Sequence, residues 1–274
     1  MNTRAFERII SVVFFVCVVL FVSFLVGRRY VDSVSEAPEI TVPDANVFSA
    51  AEGQSALLRD VSAYDREDGD LTDSVVVESV SAFDPDGRRT VVYAVCDSDR
   101  HVTKVRREIT YNDYRSPEFS LKTQLCFTGN VTASAILGAV KANDVLDGDL
   151  SDHIKIDSYI SGDAYDTVGL SVVNSAGDIS KVSLNLSLVA TMNGLPRVEL
   201  SDYVVYLPKN GTFNPTSYLR RVMVSGEENP ALMGRVHVTS SVDPGTAGSY
   251  TVAYEVTADT GITGISYMTV IVKE

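Results

Sequence analysis

There is no tryptophan in the chain, and cysteine and histidine occur only three times each in 274 residues. The cysteines are Cys17, Cys96 and Cys126, and none belongs to a CxxC pair, so the spacing of a zinc site is missing. His101, His153 and His237 are scattered and form neither a metal pattern nor a nucleophile pattern. Basic residues are also scarce, with 23 Lys and Arg against 36 Asp and Glu for a net charge of −13. A surface this acidic repels phosphate backbones, which excludes nucleic acid as a partner. GxSxG, HExxH and a phosphate-binding glycine loop are likewise missing. No low-complexity tract interrupts a composition that is 45% hydrophobic and 22% charged, which is that of an ordered protein. Valine, threonine, serine and tyrosine are prominent, which favours strands over helices.

What the chain does have is one acidic stretch written twice. Asp65-Arg66-Glu67-Asp68-Gly69-Asp70-Leu71-Thr72-Asp73 returns as Asp144-Val145-Leu146-Asp147-Gly148-Asp149-Leu150-Ser151-Asp152, with the Asp-Gly-Asp-Leu cores starting at 68 and 147. Prolines at 38, 117 and 196 keep the same spacing of 79 residues. Two unrelated markers on one period predict three tandem copies of one module, at 38–115, 116–193 and 194–274. The third is divergent, with Gly226-Glu227-Glu228-Asn229-Pro230 where the acidic motif would stand.

Ahead of the modules, Ile9 to Gly27 carries no charge. As a helix these nineteen residues rise about 28 Å, near the thickness of a hydrocarbon core. The run ends in Arg28-Arg29-Tyr30 rather than at a small-residue cleavage site, so residues 1–29 read as a cytoplasmic tip and an uncleaved transmembrane signal anchor. Arg4 and Arg8 on one side balance Arg28 and Arg29 on the other. Orientation is therefore taken from the long acidic strand-rich remainder, placed outside. Residues 30–37 read as a tether. The expected localisation is a single-pass cell-membrane protein with extracellular C-terminal domains.

Within the modules, short strands alternate with turns every 8–12 residues, the pattern of a β-sandwich. Thr90 to Val95 and Val102 to Ile109 flank an Asp97–Arg100 turn, and Asp84-Pro85-Asp86-Gly87 is a further turn. The alternation of the second strand is imperfect, with apolar residues at 102, 105 and 109. Val182, Leu184, Leu186 and Leu188 share one face of the last strand of the second copy. Tyr250, Val252, Tyr254 and Val256 do the same in the third. Tyr93 reads as a plain core tyrosine, with a hydroxyl that ties down a loop as the alternative. Cys96 and Cys126 read as two small buried side chains, or as a bridge if their modules touch.

The Asp-x-Glu-Asp-Gly-Asp-Leu-Thr motif, the Gly248-x-Tyr250-x-Val252-x-Tyr254 strand and the Asn174-Ser175-Ala176-Gly177 turn together resemble the bacterial Ig-like domain. That domain occurs in tandem on Gram-positive surface proteins and is named after an insecticidal crystal protein. The resemblance covers about residues 38–274 and is weakest in the third copy. It implies an all-β fold of three tandem Ig-like sandwiches acting as non-catalytic spacers or adhesion modules.

Two roles are open for the acidic motif. Asp65, Glu67, Asp68 and Asp70, and Asp144, Asp147, Asp149 and Asp152, put several oxygens on one loop, as calcium requires. Alternatively the carboxylates hold a backbone turn, with glycine at positive φ and Leu71 plugging the core. A glycosidase pair is excluded because no apolar pocket would raise one pKa. The expected function is a membrane-anchored spacer or adhesion protein, with a glycan- or peptidoglycan-binding ectodomain, calcium-rigidified or not, as the alternative. The glycan reading needs an exposed aromatic cluster, which scattered Tyr159, Tyr165, Tyr203, Tyr206 and Tyr218 neither supply nor exclude. A protein partner is equally compatible.

Overall fold

A computed structural model describes residues 3–34, 36–163 and 165–274, with the side chains of 3–10 and 28–34 left aside. Past residue 38 the regular structure of the described chain is mostly β-strand, gathered into six sheets. A three-stranded sheet and a four-stranded sheet recur three times along the sequence. The chain divides into two compact units, the first made of 1–48, 52–81 and 88–110, the second of 49–51, 82–87 and 111–274.

In the first unit, Glu39–Thr41, Ser62–Asp65 and Gly69–Asp70 form the smaller sheet. The larger one orders Val47–Phe48, Val102–Tyr111, Arg89–Cys96 and Val76–Val80 side by side. Alternation places Val91, Tyr93 and Val95 inside. The partner strand pairs Tyr93 with Val105 and Val91 with Arg107, so Arg107 occupies an inward position at 5% exposure. Its guanidinium lies 4.9 Å from the Phe48 ring centroid and donates to the Ala45 carbonyl. The alternation of this strand looked imperfect because a cation stands where an apolar residue was expected.

The second unit holds the other four sheets. Glu118–Leu121, Val140–Asp144 and Gly148–Asp149 face Cys126–Thr128, Ile179–Val189, Asp166–Val173 and Lys155–Ile160. Pro196–Leu200, Leu219–Val224 and Glu227–Glu228 face Val204–Pro208, Thr263–Lys273, Gly248–Thr257 and His237–Ser240. One continuous core runs from Phe119 to Val272, so no solvated linker separates these strands. Tyr203 N–H donates to the Leu121 carbonyl at 3.0 Å, and the Tyr206 hydroxyl accepts the Phe119 N–H at 2.7 Å. Of the residues expected on one face, Val182, Leu184 and Leu186 are buried while Leu188 is 47% exposed, because the core ends before it.

The three closing hairpins match bond for bond. Asp97 N–H bonds the His101 carbonyl, Asn174 N–H that of Asp178 and Ala258 N–H that of Ile262. The fourth residue of each turn has positive φ, at Arg100, Gly177 and Gly261. Four residues before each turn stand Tyr93, Leu170 and Tyr254, all buried. The Tyr93 hydroxyl donates to the Leu57 carbonyl at 2.7 Å and that of Tyr254 to the Pro215 carbonyl at 2.8 Å. Tyr93 therefore ties a loop, and the plain core reading is corrected. Leu170 has no hydroxyl to give. In its copy a short helix, Ala133–Ala139, replaces the 3-10 segment, and Thr132 caps it by accepting the Ala135 N–H.

Three further expectations are corrected. The N-terminal run is helical, from Thr3 to Val34, so the helix continues past residue 30 where the tether was expected. Among the described residues, however, no helix is long and apolar enough to cross a membrane. The single-pass cell-membrane localisation is overturned on that finding, and the membrane as a partner through Ile9–Gly27 is not shown. The flanking charges Arg4, Arg8, Arg28 and Arg29, with Tyr30, lie outside the described side chains. Finally, Cys96 is exposed and Cys126 half-buried, both as free thiols, rather than buried or bridged.

Tyr93→Phe removes one hydrogen bond and leaves the Leu57 carbonyl without its partner, which costs about 1–2 kcal/mol. Urea unfolding of this variant should show a lower midpoint with an unchanged slope, and Tyr254→Phe should behave alike.

Candidate functional site

The acidic motif folds as a tight hairpin between the second and third strands of the smaller sheet. Asp65 pairs with Gly69, and Asp144 with Gly148, across three intervening residues. Gly69 and Gly148 sit at φ 80° and 74°, and a Cβ at either would meet nothing within 4 Å. Glycine is required there by conformation, not by space. Asp65 is buried, and its Oδ1 accepts the N–H of Glu67 at 2.7 Å and of Asp68 at 2.9 Å. Asp144 does the same for Leu146 and Asp147, at 2.9 and 3.0 Å.

The aspartate that follows the glycine stands just before a 3-10 segment. Asp70 Oδ1 accepts the Thr72 N–H, and Asp149 Oδ1 the Ser151 N–H, both at 2.9 Å. The Thr72 and Ser151 side chains, then their N–H groups, hold both carboxyls below the usual carboxylate range. The aspartate before the glycine reaches the closing hairpin of the opposite sheet. Asp68 accepts both the N–H and the hydroxyl of Ser98, at 2.7 and 2.8 Å. Asp147 accepts both from Ser175, at 2.5 and 2.7 Å. Glu67 and Asp152 are exposed at the rim. Leu150 is buried beneath its turn, whereas Leu71 is only half-buried.

Six of these eight carboxylates are thus engaged by donors of nearby turns. A calcium ion needs six to eight oxygens turned to one point, whereas the turn carboxylates face separate N–H and O–H donors. Among the described residues no group of three or more His, Cys, Asp or Glu is placed to hold a metal ion.

The third copy closes the same hairpin differently. Val224 pairs with Glu227 across Ser225 and Gly226, at φ 50° and 89°, a two-residue turn with both φ positive. Arg235 Nη1 then bonds Asp259 Oδ1 at 2.5 Å, and Asp259 holds the turn position of Ser98 and Ser175.

Sequence reasoning missed an aromatic cleft in the second unit. Phe83 lies 4.5 Å from Tyr114 and 6.3 Å from Tyr111, centroid to centroid. With Ala176, Gly177 and Asp178 the three rings line a cleft of about 450 Å³. The Tyr114 hydroxyl donates to Asp178 Oδ2 at 2.7 Å and accepts from Asn174 Nδ2 at 2.8 Å. Burial first, and then Asp178, push its pKa up. The available signal was the pair Tyr111 and Tyr114 just before Ser116-Pro117, with Phe83 opening a turn. The tyrosines singled out from sequence do not gather. Tyr165 packs on Tyr267 and Tyr218 on Phe213, Tyr203 is buried and Tyr206 half-buried. Tyr159 bonds Asp166, whose carboxylate pushes the phenol up to about 12.

Asp144→Ala leaves two backbone N–H groups without their acceptor and should cost about 2 kcal/mol in urea unfolding. Asp70 and Asp149 have lowered folded pKa values, so their contribution is present above the unfolded value of about 3.9. It is lost as pH falls below that value, and the Asp70→Asn/Asp149→Asn variant should show a shallower loss of stability between about pH 4 and 2.

No family model matches the chain, and no curated protein matches it. Among solved structures it is similar to the M60 catalytic domain with the CBM51-1 and CBM51-2 domains of Clostridium perfringens ZmpB, at 12% identity over 86% of this chain and 30% of that one, with a TM-score of 0.25. It is also similar to CBM51-2 with GlcNAc and INT domains of the same protein, at 20% identity, 53% and 26% coverage and a TM-score of 0.23. Drosophila N-cadherin EC1-3 matches at 10% identity, 73% and 88% coverage and a TM-score of 0.26. The chain spans less than a third of the two Clostridium perfringens structures. Scores of this size carry no argument about function.

Proposed function

We propose that residues 38–115, 116–193 and 194–274 are three tandem Ig-like β-sandwiches forming a non-catalytic spacer or adhesion protein, with the acidic motif as its turn lock. One observation carries this reading. The carboxylates of Asp65, Asp68, Asp70, Asp144, Asp147 and Asp149 are all engaged by N–H or O–H donors of nearby turns. Acids spent in this way serve rigidity and leave no general acid and base pair facing a substrate. In this reading stiffness comes from hydrogen bonds built into the chain and needs no cation. The melting temperature should therefore be the same in calcium and in chelator, and a rise of several degrees with calcium would restore the calcium-rigidified reading.

The aromatic cleft favours a second reading, glycan binding. Sugar rings stack on aromatic faces, and the Asp178 carboxylate beside Tyr114 can accept hydroxyl hydrogen bonds. Retention of the full chain on a glycan array or on isolated cell wall, lost in Tyr114→Ala, would assign that function. Absence of retention leaves the spacer reading standing.

A further inference from the structure

A second concavity, of about 290 Å³, lies between the 122–124 loop and the outer face of the Pro196–Leu200 and Leu219–Val224 strands. Pro196, Val198 and Leu200 point into the core, which turns Arg197 and Glu199 outward. Glu199 pairs with Arg221 and Leu200 with Leu219, so Arg220 is the extra residue of a bulge. Bulges of this kind re-aim a side chain, and here Arg220 lines the concavity.

The wall thus gathers Lys122, Arg197, Arg220 and Arg221 in a chain whose net charge is −13. Two of the four are neutralised locally. Arg221 Nε bonds Glu199 Oε2 at 2.6 Å, and Lys122 pairs with Asp202. The side chains of half-buried Arg197 and exposed Arg220 form no ion pair or hydrogen bond among the described residues. Two of the other polar side chains around them, Gln124 and Tyr203, are already engaged. The Gln124 amide donates to the Ile265 carbonyl at 2.6 Å and accepts from Ser266. The Tyr203 hydroxyl bridges Leu200 N–H and the Val198 carbonyl.

A guanidinium without an ion-pair partner in a concavity is free to take one, and its planar fork matches an oxyanion. We propose that this concavity binds one small, doubly charged oxyanion, a phosphate or sulfate group, on Arg197 and Arg220. A long polyanion would be repelled by the acidic remainder of the surface. The proposal is independent of the glycan reading, because the aromatic cleft shares no residue with this one.

Titration of the full chain with inorganic phosphate at constant ionic strength, followed by calorimetry and by amide chemical shifts, tests it. Saturable binding in the millimolar range is expected, weakened at least about tenfold in Arg197→Gln/Arg220→Gln and less in Arg197→Lys, which keeps the charge but loses the fork. Shifts should centre on 122–124, 197–200 and 220–221, a readout on the wild-type chain that holds even if a variant fails to fold. Glucose 6-phosphate in a parallel arm separates the sources. Tighter binding than inorganic phosphate assigns the group to a phosphorylated sugar, and equal or weaker binding assigns it to the free anion. A titration without saturation, shifts centred elsewhere, or a double variant that binds like the wild type overturns the site.

Discussion

A carboxylate with its oxygens turned onto the backbone of its own hairpin is the interaction on which the β-structure turns. Asp65 and Asp144 are buried, and an unpaired carboxylate at such a place would be expensive. Each is satisfied by two N–H groups of the turn that follows, which fixes the turn geometry and starts the return strand in register. Once that register is set, glycine falls at the position of positive φ, and the next aspartate falls where the 3-10 segment begins. The aspartate in between is left facing the closing hairpin of the other sheet, which it grips through Ser98 or Ser175. Nine residues thus lock a turn, start a helical segment and join the two sheets at one end.

The third copy shows what the lock is for by doing without it. Val224 stands where Asp65 and Asp144 stand, and the hairpin shortens to two residues. Ser225 and Gly226 carry the positive φ angles that a tight hairpin needs. The link between sheets becomes an exposed ion pair, Arg235 with Asp259, which is worth little in water. Stability there rests instead on the continuous apolar core shared with the second copy. The second copy has both the carboxylate lock and that core, and the third has the core alone.

The repeat was legible because turn chemistry is local. Asp, Gly and Asp at fixed spacing act on neighbouring N–H groups, and the period of 79 places the hairpins without knowledge of the rest of the fold. The strands were legible for the same reason, as alternation within a single segment. What escaped depends on partners far away in sequence. Nothing near Tyr93 says that its hydroxyl meets the Leu57 carbonyl, 36 positions back. Arg107 looked like a break in the pattern until Phe48 and Ala45 were found beside it. The aromatic cleft draws Phe83, Tyr114 and Asp178 from three separate stretches, and the basic concavity depends on a bulge that no residue type announces. The apolar N-terminal run was read correctly as a helix, while among the described residues no helix is long and apolar enough to be the membrane span that was expected.

The difference between Asp97 and Asn174 shows how far the lock constrains its surroundings. In the first copy the Asp97 carboxylate accepts the His101 N–H at 2.7 Å and lies 2.9 Å from the ring Nδ1. Burial raises its pKa, but these bonds outweigh that effect and hold it low. In the second copy the same turn position sits 3.2 Å from the Asp144 carboxylate and 2.8 Å from the Tyr114 oxygen, which itself donates to Asp178. A carboxylate there would face an anion and a phenol whose proton is already given away. Only a neutral donor can bond both, while its own carbonyl accepts the N–H groups of Ala176 and Asp178. Asn174 meets both demands, so the residue that closes the turn also holds Tyr114 in the wall of the aromatic cleft. The lock and the cleft are therefore one hydrogen-bonded network, and a substitution at Asn174 reaches both.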